Sequence, residues 1–166
     1  MNDIVQQFIS QYDGSQIGMI CCKSNDQNGD SSDWRDLNQS FREQVNRAVI
    51  RHSANVPLAL IHDLFCAEAL FCRYAWGSSA ELPYLGKLLL EQADISYLES
   101  YLIGKYRSFD TECALQFTDL ERPTLEHLLQ QLREKNPFSA NSEFNIHEVK
   151  TQIKQAIKFL NQQAER

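Results

Sequence analysis

Residues 56–91, VPLALIHDLFCAEALFCRYAWGSSAELPYLGKLLLE, constrain the fold more than any other stretch. Between positions 58 and 76 nearly every side chain is apolar, and only His62, Asp63, Glu68 and Arg73 can carry charge. A helix that is apolar almost all round belongs in a protein core. A bilayer span needs about 20 apolar residues, and ionisable groups at four places in the run make insertion costly, so no membrane association is expected. Asn55 is the expected N-cap, with Pro57 in the first turn, where its missing N–H breaks no helical bond. Gly77 is expected to stop the helix. Ser78 and Glu81 have the spacing of a capping box for a second helix. Leu82, Leu85, Leu88 and Leu89 recur at helical spacing behind them, and Pro83 is near enough to the start to be tolerated.

Two segments share this turn-and-stripe pattern. Residues 71–91, FCRYAWGSSAELPYLGKLLLE, resemble the turn and second helix of a HEAT-like repeat, with a small polar turn, a Pro near the helix start and a Leu stripe. Residues 112–132, ECALQFTDLERPTLEHLLQQL, place Pro123, Leu125, Leu128, Leu129 and Leu132 at matching positions. Ala67-Glu68-Ala69-Leu70 and Glu112-Cys113-Ala114-Leu115 are the matching first-helix segments. The resemblance covers about half the chain, and an extra helix at residues 94–107 separates the two units. Free-standing solenoids need about three repeats, so flanking helices must act as caps. The resemblance implies HEAT-like hairpins stacked with flanking capping helices, presenting a broad face that holds another protein.

With 166 residues and 43% hydrophobic content, the chain can build one domain with a proper core, residues 1–166. Its net charge of −6 argues against duplex nucleic acid as a partner, since phosphate binding needs a basic footprint. It suits a basic protein partner. The five cysteines, Cys21, Cys22, Cys66, Cys72 and Cys113, are odd in number and lack CxxC spacing. Reduced thiols and a cytoplasmic location are therefore expected. The opening MNDIVQQFISQYDG has neither a basic start nor a long apolar run, so no secretory signal is expected.

Around the central hairpin, Ile4, Val5, Phe8, Ile9 and Tyr12 mark a short N-terminal helix ended by Asp13-Gly14. Residues 17–22 read as a short extended piece or a continuation, and residues 23–33 as a polar loop. In that loop Asp26, Asn28 and Asp30 have calcium-loop spacing, but Ser31 stands where Gly is wanted and Leu37 where the bidentate Glu belongs, so a solvated loop is expected. Residues 34–52 pattern as an amphipathic helix with Trp34, Leu37, Phe41, Val45, Ala48 and Val49 inward and Ser32 or Asp33 as cap. Its Arg35 and Arg42 share a face, while Arg47 and Arg51 lie about 120° or more around it, so ordinary solvation is expected rather than a phosphate row. Asp94 is the expected cap of a helix over 95–106, followed by a short helix from Asp110 through Phe117 and another from Pro123 to Lys135. A final amphipathic helix within residues 142–166 carries Ile146, Val149, Ile153, Ala156, Ile157 and Leu160. It is expected to cap the stack, with a homodimeric coiled coil as the alternative to a monomer.

Few residues suggest chemistry. His147-Glu148 opens like a zinc-protease motif, but Thr151 occupies the place of the second His. His62 and Cys66 share a helix face, yet Cys72 lies about 240° around from Cys66, so packed thiols are expected rather than a zinc site completed by Cys113. No GxSxG, GxxxxGK[ST] or GxGxxG motif occurs, and no cofactor is expected. His62, Asp63, Glu68 and Arg73 are the candidate polar site, because buried carboxylates must be paired or shifted in pKa. The bland alternative places them on one exposed strip, or pairs them with Arg73 and with arginines of the preceding helix. Tyr84, Tyr97, Tyr101 and Tyr106 are the candidate partner surface, against ordinary half-buried packing. The sequence thus leads to an all-α single domain of seven or eight helices. The expected function is a non-enzymatic interaction module, a regulator or inhibitor of a basic protein. The alternative is a small helical enzyme or ligand sensor.

Overall fold

The computed structural model describes residues 3–25, 34–93 and 95–165. Among them the chain forms eight α-helices joined by short 3-10 turns, and the sole β feature is an antiparallel bridge between Ser24 and Asp36. This is the all-α single domain that the apolar periodicity demands. Asp26, Asn28, Asp30, Ser31, Ser32, Asp33 and Asp94, named above as ligand or cap candidates, lie outside the described residues.

The first helix, α1 (Asp3–Gln11), buries Val5, Phe8 and Ile9, with Tyr12 buried just beyond its end and Ile4 left exposed. A 3-10 turn at Ile17–Met19 delivers the fully buried Ile20. The next helix, α2 (Gln39–Arg51), starts at Gln39 rather than at Trp34. The backbone before it is committed elsewhere: Asn25 N donates to Arg35 O at 3.0 Å and Leu37 N to Lys23 O at 2.8 Å. A chain paired laterally in this way cannot also form the i→i−4 bonds of a helix.

The central helix α3 (Leu58–Ala75) packs against α2, against α4 (Leu82–Gln92), against α5 (Leu98–Lys105) and against α6 (Phe109–Ala114). Leu60, Ile61, Leu64, Phe65, Ala69 and Cys72 are inaccessible, as its composition requires. Its ends differ from the cap pattern read in the sequence. Asn55 sits in a separate 3-10 turn, and Pro57 directly precedes the first helical residue. At the other end Trp76, not Gly77, takes the left-handed conformation (φ 51°). The N-cap position of α4 is Glu81 rather than Ser78 and makes no side-chain cap bond; Ser79 Oγ, in the turn before it, accepts from Leu82 N at 3.2 Å.

Two glycines let α4 and α5 close on α3. A Cβ on Gly104 would stand 2.6 Å from the Phe65 ring, and one on Gly86 2.9 Å from Leu115 and 3.1 Å from Tyr101. Phe65 and Tyr101 stack between them at 5.8 Å. Only a hydrogen side chain admits these approaches.

The remaining helices, α7 (Arg122–Glu134) and α8 (Ile146–Ala164), pack on each other, and α8 also covers the 3-10 turn at Phe117–Asp119. Leu125, Leu128 and Leu132 of α7 and Val149, Ile153 and Ala156 of α8 are buried between them and the core. The last helix begins at Ile146 because Asn145 caps it, accepting from His147 N at 2.8 Å, while Ser142 Oγ bonds Phe144 N in the preceding turn.

Candidate functional site

The four residues singled out on α3 do not converge. Arg73 is exposed. Glu68 is buried on one side of the helix, and His62 with Asp63 forms a separate, half-open cluster. The structure therefore replaces one candidate site with two networks.

The sealed network centres on Arg42 of α2, whose side chain is inaccessible. Its Nε donates to Glu68 Oε1 at 2.7 Å, its Nη1 lies 2.5 Å from Asp36 Oδ2 and donates to Ile20 O at 3.3 Å, and its guanidinium lies over the Phe71 ring. Asn46, one turn along α2, donates to the same Glu68 oxygen at 2.8 Å. Asp36 Oδ1 accepts from Lys23 N and Asn38 N. Burial works against the Arg42 charge, but Glu68 and then Asp36 more than offset it and hold the pKa above its ordinary value. Beside this group, burial and then the charge of Asp36 push the Cys22 thiol up to about 12. The expectation that the arginines of this helix are simply solvated fails for Arg42. The alternative that Glu68 pairs with an arginine of the preceding helix holds. The arrangement ties the chain around Ile20 and Lys23, the bridge at Asp36 and two helices into one block.

The half-open network runs from the residue after α1 across α3 and α5. Tyr12 OH donates to Asp63 Oδ2 at 2.5 Å, Asp63 Oδ1 lies 3.0 Å from His62 Nδ1, and His62 Nε2 lies 3.1 Å from Ser100 Oγ and 3.5 Å from Cys66 Sγ. Tyr97 flanks the imidazole with ring centroids 4.9 Å apart. About a quarter of the His62 side chain (26%) remains open to solvent. Burial and the neighbouring Asp63 carboxylate raise the Tyr12 pKa, so the phenol keeps its proton and donates it. Burial, reinforced by Asp63 and partly opposed by Arg107, pushes the Cys66 thiol up to about 11. Position on the apolar stripe of α1 brought Tyr12 into the sequence analysis as a core residue, but no signal pointed to its hydroxyl. Ser100 carried none at all.

The four tyrosines do not share a surface. Tyr101 is buried in the stack with Phe65, Tyr97 is half-buried against His62, Tyr106 bonds Gln152 of α8 at 3.2 Å, and only Tyr84 stands largely free. Tyr101 is thus corrected from the surface to the core, because Gly86 and Gly104 bring α4 and α5 together over its ring. A cleft of about 500 Å³ between α5, α6 and α8 is lined by Lys105, Tyr106, Glu112, Gln116, Gln152 and Phe159. Lys105 is occupied there, its Nζ donating to the carbonyls of Glu112 and Leu115 at the end of α6, and burial lowers its pKa. Among the described residues no three His, Cys, Asp or Glu side chains are placed to hold a metal ion. The thiols of the conceivable zinc set are dispersed: Cys72 is buried and accepts from Ser79 N, and Cys113 is exposed. No described helix is long and apolar enough to cross a membrane.

Compared with known proteins, the chain matches no family model, no curated protein and no solved structure. What it does has to be argued from its own residues.

Proposed function

We propose that the protein is an interaction module that holds a basic protein partner, with Trp76 as its anchor. The observation that carries this is the exposure of Trp76, 92%, beyond the exposed last turn of a helix whose middle is buried. A bulky residue in the left-handed region costs roughly 1–2 kcal/mol. Here the strained position displays a large aromatic ring to water, with little return from packing within the chain. Tryptophan is the side chain most enriched among residues that dominate binding energy at interfaces. Phe109, exposed to 79%, opens α6, which packs against α3. Asp110, next to it, is close enough to Cys72 to act on its thiol, which places it near the same end of α3.

Local charge at that end is mixed, with Arg73 on α3 and Asp110 and Glu112 on α6. The choice of a basic partner therefore rests on the long-range field of a chain with net charge −6. The HEAT-like resemblance favours the same role, as stacked hairpins in that family hold other proteins. Five free thiols suit a reducing, cytoplasmic setting.

The test is affinity capture from native lysate with the wild-type chain and with Trp76→Ala side by side. A stoichiometric basic protein retained by the wild type, weakened by salt and lost with the variant, supports the proposal. An identical captured set from both baits, or no stoichiometric protein with either, overturns it.

A further inference from the structure

The half-open network on α3 has the connectivity of a nucleophile activated through an imidazole. Asp63 Oδ2 already accepts the phenolic hydrogen of Tyr12, and its Oδ1 faces His62 Nδ1 at 3.0 Å. A carboxylate offers only acceptors, so Nδ1 carries a hydrogen, and the tautomer protonated there alone presents its lone pair at Nε2. Two groups face that lone pair. Ser100 Oγ, at 3.1 Å, is within hydrogen-bond reach and in that tautomer can donate into it. Cys66 Sγ, at 3.5 Å, is the longer and weaker contact.

We propose that Ser100 is a nucleophile for small carboxylic esters, with His62 as its general base and Asp63 as the residue that orients the imidazole. The arrangement satisfies the nucleophile-to-base and base-to-orienter geometry that defines such sites on unrelated folds. In the first step Ser100 Oγ bonds to the ester carbonyl carbon while its proton passes to His62 Nε2. The tetrahedral intermediate collapses, the ester C–O bond breaks, and the leaving alcohol takes the proton from His62. Water then attacks the acyl-serine, losing a proton to Nε2; the acyl C–Oγ bond breaks, Nε2 returns that proton to Ser100 Oγ, and the carboxylic acid is released. Arg107, whose charge reaches Cys66 and whose buried Nε has no hydrogen-bond partner among the described residues, would be the cation to balance the developing oxyanion. Cys66 is the competing nucleophile, and its burial keeps it a thiol near neutral pH rather than a reactive thiolate. The activity uses residues other than Trp76, so it stands or falls independently of partner binding.

The probe is p-nitrophenyl acetate with the full-length chain, read by nitrophenol release and by peptide mass mapping of the acetylated residue. A fluorophosphonate label on the wild-type chain gives a second readout that needs no variant. We expect both reagents to mark Ser100, release to fall about 100-fold in Ser100→Ala and in His62→Gln, and Cys66→Ala to retain activity. Acetylation confined to Cys66 or to lysines, a fluorophosphonate label absent from Ser100, or a loss under about tenfold in Ser100→Ala overturns the proposal.

Discussion

The two polar networks built on α3 make an instructive pair. Asp63 and Glu68 are five residues apart, which turns them about 140° around the helix axis at roughly 100° per residue. Glu68 meets an arginine and an asparagine in a site closed to water. Asp63 meets a phenol and an imidazole in a site that solvent reaches. In the first case the carboxylate and the cation pair, although Arg42 Nη2 and Asn46 Oδ1 are buried without a hydrogen-bond partner among the described residues, and what the pair fixes is the position of α2 and of the chain around Ile20. In the second the remaining imidazole nitrogen has a serine hydroxyl in front of it. A carboxylate on the same helix thus serves architecture on one side and has the makings of chemistry on the other. The determining variable is water access.

Substitutions can break that comparison. The largest effect is expected from Glu68→Ala, which strands the buried Arg42 guanidinium. Removing one partner of a buried ion pair costs about 3–5 kcal/mol, and the low end applies because Asp36 still faces the cation. Asp63→Ala, by contrast, loses hydrogen bonds at a half-open site and should cost about 1 kcal/mol. Urea denaturation of the two variants measures both, and equal losses would erase the distinction between a sealed and an open network. Next in size is Gly104→Ala. Its methyl group would meet the Phe65 ring at 2.6 Å, and that ring is inaccessible and stacked on Tyr101, so overpacking should cost about 1–3 kcal/mol. It should also push α5 outward and separate Ser100 from His62, lowering ester turnover without touching either residue. A variant as stable as wild type would show that the close approach of α5 is not required.

The smallest effect is a difference in alkaline sensitivity. Burial raises both Cys22 and Cys66 from an ordinary 9.0, to about 12 and about 11. The folded chain therefore holds thiol protons that the unfolded chain releases above about pH 9, so the unfolded state binds fewer protons and stability falls as pH rises from there. Replacing Cys22 with Ala should flatten that decline up to about pH 12, and replacing Cys66 only up to about pH 11. Denaturation curves between pH 9 and 12 would show it, and identical slopes in wild type and both variants would remove the account of the two thiols as held protonated by burial.

Much of the helix inventory was legible in the sequence, because burial of α3, α4, α7 and α8 follows from apolar periodicity alone. The limits of elements were less legible. Residues 34–38 have a helical pattern, yet lateral hydrogen bonds to residues 23–25 claim their backbone, and no periodicity reports a competitor from elsewhere in the chain. Of the candidate site, His62 and Asp63 were visible as charges in an apolar run, whereas Ser100 was one polar residue among many. Arg42 and Asn46, four apart and beside the Phe41–Val45 stripe, carried a readable signal of a buried polar pair that amphipathic patterning masks.

The sequence by itself determined that the chain folds as one all-helical domain around residues 58–75, since so much apolar surface in one helix has to be covered on every side. The tertiary structure decided which polar residues became partners. Tyr12, Asp63, His62 and Ser100 come from the segment after α1 and two helices, and Asp36, Arg42, Asn46 and Glu68 from a loop and two helices. Hydrogen bonds act over about 3 Å, so their pairing depends on how closely helices approach. That closeness is set by small residues such as Gly86 and Gly104, whose effect appears only once the helices are packed.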